Sequence, residues 1–241
     1  MKRILTFIFA LAIACASFAD TNLQLFYDFG SVGTACQNQR TNRVTMTVEH
    51  LSFDRFGSNF FFIDLDFGCN PNDPTESPFG AYTELARTFV FWNDTKLKEL
   101  SLHLEYNGGL GIYKGGGYSI NHAVLAGLEY FLHTNDYRYT FNLQLLYRYD
   151  VGLEVTVPMQ FTMVWGMQDL FTCKGLSFLG YIDLYDGGKQ FAFTTEPQLW
   201  YNVGQHFGCD HLHIGTEIEM SYNFCGQGFM CNPCLGLKWC F

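Results

Sequence analysis

The sequence predicts an all-β fold, a transmembrane antiparallel up-and-down β-barrel of twelve strands. Three observations lead to this prediction: a repeated alternation of apolar and polar residues, an export signal at the amino terminus, and a composition that suits strands and turns. The chain of 241 residues is 18% aromatic and contains 24 glycines but only 6 prolines. Barrels of roughly 200–250 residues form one domain, and no break in composition divides the chain, so residues 20–241 are predicted to be a single domain.

The clearest predicted strand covers residues 137–149, where apolar and polar side chains alternate with Leu146 as the one exception. Successive side chains of a strand point to opposite faces, so this segment has one apolar and one polar face. Tyrosines lie at both ends of the apolar face and purely apolar residues in its middle, as expected where the ends meet lipid headgroups and the centre meets hydrocarbon. The apolar face carries Tyr137, Tyr139, Phe141, Leu143, Leu145, Tyr147 and Tyr149.

The same alternation recurs along the rest of the chain and gives an even number of strands, as in single-chain bacterial outer-membrane barrels. Residues 81–92 are the least regular, because Arg87 falls on the same face as Leu85 and Phe89; a β-bulge is expected to re-aim it. The predicted strands are 22–29, 43–51, 59–67, 81–92, 100–107, 121–131, 137–149, 155–167, 176–185, 191–203, 212–224 and 231–241.

Residues 1–19 are predicted to be a secretory signal peptide. Lys2 and Arg3 precede an apolar stretch at residues 4–13, and small residues end the segment at Ala19. The stretch is too short to be a membrane helix, which needs about 20 apolar residues. Cys15 leaves a lipoprotein signal as the alternative. Export of a chain that crosses the membrane by strands predicts the bacterial outer membrane as its location.

The lengths of the links between strands predict an orientation. If the amino terminus is periplasmic, the links at 30–42, 68–79 and 108–120 lie outside the cell, and these are long and rich in Gly, Pro or Asn. The links at 53–58 and 93–98 then face the periplasm, and they are short. Long external loops and short periplasmic turns are the asymmetry of outer-membrane barrels.

The acidity of the chain limits its partners. The net charge is −9 for the whole chain and becomes −11 when Lys2 and Arg3 leave with the signal peptide. Such a charge argues against nucleic acid and against anionic lipid headgroups as partners. The expected partners are outer-membrane lipid around the barrel and small polar solutes within it.

The inward face on the predicted register is acidic and carries interleaved aromatic rings. An acidic lumen favours cations or neutral solutes and repels phosphates, while rings can stack on a base or a sugar. The alternative is that these charges pair with one another and merely fill the barrel. The pore-lining candidates are Phe26, Asp28, Phe62, Asp64, Asp66, Glu84, Glu105, Glu129, Arg138, Arg148, Tyr181, Asp183, Glu196, Trp200, Glu217, Glu219 and Lys238.

No catalytic residue, metal site or cofactor is predicted. Nucleophilic catalysis needs a base within hydrogen-bond reach of a nucleophile. His103 lies two residues from Glu105 and His213 lies near Glu217, but neither pair has a serine motif beside it. The chain is therefore predicted not to be an enzyme. A barrel that conducts nothing and serves as a structural or surface protein is the main alternative, and a barrel enzyme acting on lipid is a less favoured one.

Eight cysteines remain after removal of the signal peptide, which an oxidising compartment permits. Cys225 and Cys231 flank one predicted external loop and are the best disulfide candidates. Cys231 and Cys234 have redox or zinc-like spacing, but in a strand their sulfurs point to opposite faces, beyond disulfide reach. The full disulfide connectivity stays open at this point.

Four segments of the chain resemble an uncharacterised family of bacterial outer-membrane proteins that is similar to the Tsx nucleoside-specific channels. They cover residues 22–30, 104–109, 195–202 and 232–241, and Phe241 with Trp239 before it resembles the assembly signal that ends many outer-membrane barrels. The resemblance implies a monomeric barrel of twelve strands. It also implies a narrow channel for nucleosides or similar solutes.

Overall fold

The computed structural model describes residues 19–32, 41–69, 78–113, 115–188, 190–224 and 228–241. Strands dominate this part of the chain, which also contains two short 3-10 helices, Leu170–Thr172 and Gly204–Phe207. None of its helices is long and apolar enough to cross a membrane. The strand segments are β1 (Ala19–Asp28), β2 (Arg43–Asp54), β3 (Gly57–Gly68), β4 (Gly80–Phe89), β5 (Leu100–Tyr113), β6 (Gly116–His133), β7 (Tyr139–Asp150), β8 (Met159–Met167), β9 (Leu176–Asp186), β10 (Phe191–Thr195), β11 (Gln198–Asn202), β12 (Leu212–Tyr222) and β13 (Phe229–Cys240).

β10 and β11 are two halves of one barrel strand. Thr195 pairs with Ile182 of β9, and Gln198 pairs with Leu179 of the same strand, so the register is unchanged across the gap. Pro197 lies in that gap and has no backbone N–H to donate to the ladder. The thirteen segments therefore form twelve barrel strands, and the single predicted strand over residues 191–203 is interrupted only by its proline.

The sheet closes on itself. β1 pairs with β2 on one side and with β13 on the other, and every neighbouring pair is antiparallel. Closure leaves no strand edge unpaired, which is what a sheet in lipid requires because no water is present there to satisfy backbone groups. The twelve-stranded antiparallel up-and-down barrel confirms the fold class that the alternation predicts.

The two faces of each strand differ as the alternation predicts. On the outer face of β7, Leu145 and Tyr147 are more than half exposed, whereas Gln144 on the inner face of the same strand is buried. Leu146, the exception on the polar face, is buried inside the barrel against Leu125 and Ala123 of β6. The outer surface of the barrel is thus an extended apolar surface, far larger than a soluble monomer normally exposes.

Arg87 remains on the outer face of β4. β3 and β4 pair without a register shift through Arg87, so the bulge expected in this strand does not form. The guanidinium instead lies near the rim, where Nη2 is 2.9 Å from Asp54 Oδ1 and the group lies over the Phe89 ring. A charge on the lipid-facing side is tolerated here because it is close to the interface and paired.

The β5–β6 hairpin is longer than the sequence pattern predicts. The link expected at residues 108–120 is largely strand, because β5 continues to Tyr113 and β6 begins at Gly116. Exposed Leu110 and Ile112 alternate here with glycines, a pattern too poor in polar residues to be recognised as a half-buried strand. The hairpin therefore extends this side of the barrel beyond its neighbours.

Candidate functional site in the barrel lumen

The predicted lining residues lie on the inner face of the barrel, with Arg138 as the exception. Their strand positions alternate with the exposed apolar residues of the outer face. Arg138 lies in the turn before β7, where its side chain is 52% exposed. Its guanidinium is 3.5 Å from Asp136 and 3.9 Å from Asp169, so it belongs to the rim and not to the interior rows.

Seven acidic side chains on the inner face interact electrostatically with one another around the lumen, and we call them the acidic belt. Glu84 on β4 interacts electrostatically with Asp183 on β9, although four strands separate β4 from β9 in the sheet. Asp64 on β3 likewise interacts with Glu219 on β12, and with Glu196 between β10 and β11. Such pairs approach each other only through the interior. The acidic belt consists of Asp64, Glu84, Glu105, Asp183, Glu196, Glu217 and Glu219.

Neutral donors hold several belt carboxylates in place. Thr47 Oγ1 donates to Asp64 and Thr162 Oγ1 to Asp183, each at 2.5 Å. Tyr82 Oη donates to Glu84 Oε1 at 2.8 Å. Hydrogen bonds of this kind orient a carboxyl group. The belt therefore brings seven acidic side chains together on the lumen wall. Among the described residues no cluster of His, Cys, Asp and Glu has the geometry of a metal site.

Other inner-face acids are neutralised by arginines. Arg43 Nη1 lies 2.9 Å from Asp66 Oδ2, and its Nε lies 3.8 Å from Asp28 Oδ2. Arg148 binds both oxygens of Asp150 at 2.7 Å, the bidentate geometry that makes such pairs strong. These residues therefore follow the alternative given above, in which charges on the inner face pair with one another and fill the barrel.

A hydrogen-bonded network packs the lumen wall at β5, β6 and β7. His103 Nε2 is 2.9 Å from Glu105 Oε2, and its Nδ1 is 3.0 Å from Glu129 Oε2. Gln144 donates to Glu129 and Asn107 donates to Glu105. His103 is buried with carboxylates on both ring nitrogens, so it is placed to support the wall and not to activate a nucleophile.

Two predicted lining rings fill the opposite side of the lumen. Phe26 and Trp200 pack with ring centroids 5.5 Å apart, and Trp200 is fully buried. Lys238 Nζ lies 4.3 Å from the Trp200 ring. A Cβ at Gly215 would lie 2.4 Å from Trp200, so the ring occupies space that only a glycine leaves. We call Phe26 and Trp200 the aromatic plug, because in this conformation their faces are covered and unavailable to a solute.

Rings that remain accessible lie beside the acidic belt. Phe62 and Tyr82 have centroids 5.9 Å apart, and both are partly exposed to the lumen. Tyr181 is also partly exposed and interacts with Glu84 and Glu196. Sequence reasoning named Phe62 and Tyr181 but missed Tyr82, although Tyr82 lies two residues from Glu84 on the same face of β4 and the pattern of the strand contains that signal.

Further inner-face residues were also missed by sequence reasoning. Uncharged Thr47 and Thr162 carry no signal of their own, and their contact with acids depends on the register between neighbouring strands. Cys225 lies outside the described residues, so the Cys225–Cys231 disulfide stays a prediction. Cys234 is buried on the inner face, opposite to the face of Cys231, as the strand spacing predicts.

Among solved structures, this chain is similar to outer-membrane barrels. Outer membrane phospholipase A from Escherichia coli is 13% identical with a TM-score of 0.53, over 91% of this chain and 92% of that chain. Pseudomonas aeruginosa OccK2 (OpdF) in complex with glucuronate is 11% identical with a TM-score of 0.42, over 92% and 97%. A porin from Rh. blastica is 9% identical with a TM-score of 0.39, over 92% and 99%. The first likeness shows the barrel fold alone, and the other two scores are too low to carry an argument.

Comparison by sequence gives a family. The search of curated proteins produced no significant match. A family model matches residues 20–241, which is the whole predicted mature chain. The chain therefore belongs to the family described as "Domain of unknown function (DUF5020)".

Proposed function

We propose that the protein is an outer-membrane channel that lets small polar solutes, neutral or cationic, diffuse through the acidic belt. The observation that carries this proposal is the electrostatic interaction of Glu84 with Asp183, and of Asp64 with Glu219, between strands that are not neighbours in the sheet. Rings of carboxylates select for cations in channels, because the field they create in a narrow passage attracts positive charge and repels negative charge. The apolar outer surface supports a position in the bilayer of the outer membrane.

Nucleosides are the first solutes to test. Phe62, Tyr82 and Tyr181 present partly exposed ring faces next to carboxylates that can accept hydrogen bonds from ribose hydroxyls. A nucleoside carries no phosphate, so the belt does not repel it, whereas a nucleotide is repelled. The resemblance to the Tsx nucleoside-specific channels supports the same cargo. We further propose that the barrel acts as a monomer, since the lumen of one chain contains the whole belt.

Replacing belt carboxylates by their amides should weaken cation selectivity. Glu84→Gln and Asp183→Asn keep an acceptor for Tyr82 and Thr162 but remove two charges. A unit charge contributes about 1 kcal/mol at 4 Å in a water-like medium, so the cation-to-anion permeability ratio should fall about fivefold per removed charge. Reversal potentials in planar bilayers under a salt gradient measure this ratio.

The matched control for that experiment is Asp136→Asn, which removes a carboxylate from the turn outside the lumen. It should leave the permeability ratio unchanged. Uptake of nucleosides, sugars and amino acids into liposomes then ranks the cargo. A wild-type barrel that conducts no ion and admits no solute would support the non-conducting alternative, which the buried aromatic plug favours. Anion selectivity of the wild type would contradict the proposal.

A further inference from the structure

A chain of hydrogen bonds links a serine, a histidine and a tyrosine on the outer surface of the β5–β6 hairpin. Ser119 Oγ lies 3.1 Å from His122 Nε2, and His122 Nδ1 lies 2.5 Å from Tyr106 Oη. The His122 and Tyr106 rings also stack, with centroids 5.9 Å apart and an angle of 25° between their planes. Ser119 and His122 are exposed, so the serine oxygen is open to a molecule at the barrel surface.

A β-bulge builds this arrangement. The pairing of β5 with β6 shifts between Asn107 and Gly109, so that two residues of β6, one of them His122, lie opposite Gly108. Bulges re-aim side chains and are common beside functional sites. A Cβ at Gly108 would lie 2.7 Å from both His122 Nδ1 and Tyr106 Oη. The histidine and tyrosine can therefore meet only because this position is glycine.

An apolar groove of about 600 Å³ lies on the lipid-facing side of the same two strands and the end of β4. Leu104 of β5 is both a groove residue and the outward-facing neighbour of Tyr106, two positions along the strand. Two strand positions span about 7 Å. A lipid whose acyl chain lies in the groove and whose ester end extends past Leu104 would bring that ester towards Ser119. The groove is lined by Phe89, Phe91, Leu102, Leu104, Ala126 and Leu128, among others.

We propose that Ser119, His122 and Tyr106 form a hydrolytic site, separate from the lumen, that cleaves carboxylic esters of membrane lipids. The arrangement has the three parts that nucleophilic acyl transfer needs: a hydroxyl nucleophile, a base within hydrogen-bond reach, and a third group that orients the base. Ser119 and His122 are the catalytic residues. Tyr106 is a positioning residue, because it acts through His122 Nδ1.

The reaction proceeds in two balanced steps. In the first, the Ser119 hydroxyl proton passes to His122 Nε2 while Oγ bonds to the ester carbonyl carbon. The bond from that carbon to the alkoxy oxygen then breaks, and the proton on His122 Nε2 passes to the leaving oxygen, which departs as the lysolipid alcohol. In the second step, water gives a proton to His122 Nε2 and its oxygen bonds to the acyl carbon. The bond to Ser119 Oγ breaks, Oγ recovers the proton, and a fatty acid leaves.

The test uses the full mature barrel refolded in detergent and mixed micelles of a diacyl phosphatidylethanolamine. Fatty-acid release by the wild type should fall about 100-fold or more in His122→Ala, since a positioned general base contributes roughly that factor. It should fall at least as far in Ser119→Ala, because that variant lacks the nucleophile. A fluorophosphonate probe should label the wild type on Ser119, located by peptide mass spectrometry. Ser52→Ala removes another outer-face serine, near the opposite rim, and should change neither result.

Tyr106→Phe keeps the stacked ring but removes the hydroxyl from His122. It should lower the turnover rate with little change in KM and should shift the lower limb of the pH–rate profile, which a merely structural role would not move. Heat-modifiable gel migration verifies that each variant folds. The proposal is overturned if the folded wild type neither releases fatty acid nor reacts with the probe. Activity or labelling that persists unchanged in Ser119→Ala overturns it as well.

Discussion

Arginine at Leu145 should prevent the barrel from folding efficiently into a bilayer. Leu145 lies in the middle of β7 with its side chain on the outer face and 58% exposed. An arginine near the midplane of the lipid face costs about 2–4 kcal/mol, because the bilayer core offers neither water nor a counter-ion. The folded fraction in phospholipid vesicles, read from heat-modifiable gel migration and urea titration, measures this cost.

The control is Asn142→Arg, three residues away on the inner face of the same strand. Asn142 Oδ1 is buried without a hydrogen-bond partner, so an arginine there removes no existing side-chain bond at that oxygen. Asn142→Arg should fold nearly as well as the wild type and should alter ion conductance. Normal folding of Leu145→Arg together with failure of Asn142→Arg would mean that the apolar face is an internal core, since one face of a strand cannot be both.

The fold could be predicted from sequence because each strand carries its own evidence. The period-2 alternation of residues 137–149 identifies the lipid face of β7 without reference to any other strand. Two of the departures have local causes. Pro197 interrupts hydrogen bonding but not register, and the glycines that alternate with Leu110 and Ile112 hide the upper part of β5 from a pattern search.

The candidate sites depend on information that no single strand contains. The interaction of Glu84 with Asp183 depends on closure of the barrel and on the stagger between neighbouring strands. The alternation within a strand specifies neither the closure nor the stagger. The outer-surface contact of Ser119 with His122 depends on a bulge opposite Gly108, and nothing in the local pattern marks it. Extending the alternation of β7 into the preceding turn puts Arg138 in the lumen, but Tyr137 has a positive φ of 56° and the alternation ends there.

The aromatic plug should control how open the lumen is. Trp200 is fully buried, packs against the Phe26 ring and is contacted by Lys238 Nζ. Its ring fits because Gly215 has no side chain at that place. Trp200→Ala should therefore raise single-channel conductance above the wild-type value. The same change should destabilise the barrel by about 3–5 kcal/mol, the usual cost of truncating a buried tryptophan.

Trp165→Ala separates the two effects. Trp165 lies on the outer face of β8 and packs on Phe178 with ring centroids 5.7 Å apart, so its removal deletes a tryptophan without touching the lumen. It should lower stability but leave conductance unchanged. If the conductance of Trp200→Ala is no higher than that of the wild type or of Trp165→Ala, the path of the ions does not run past the aromatic plug. A channel would then have to pass between the acidic belt and the accessible rings of Phe62 and Tyr181, because the wall around His103 is packed on both sides by hydrogen-bonded carboxylates.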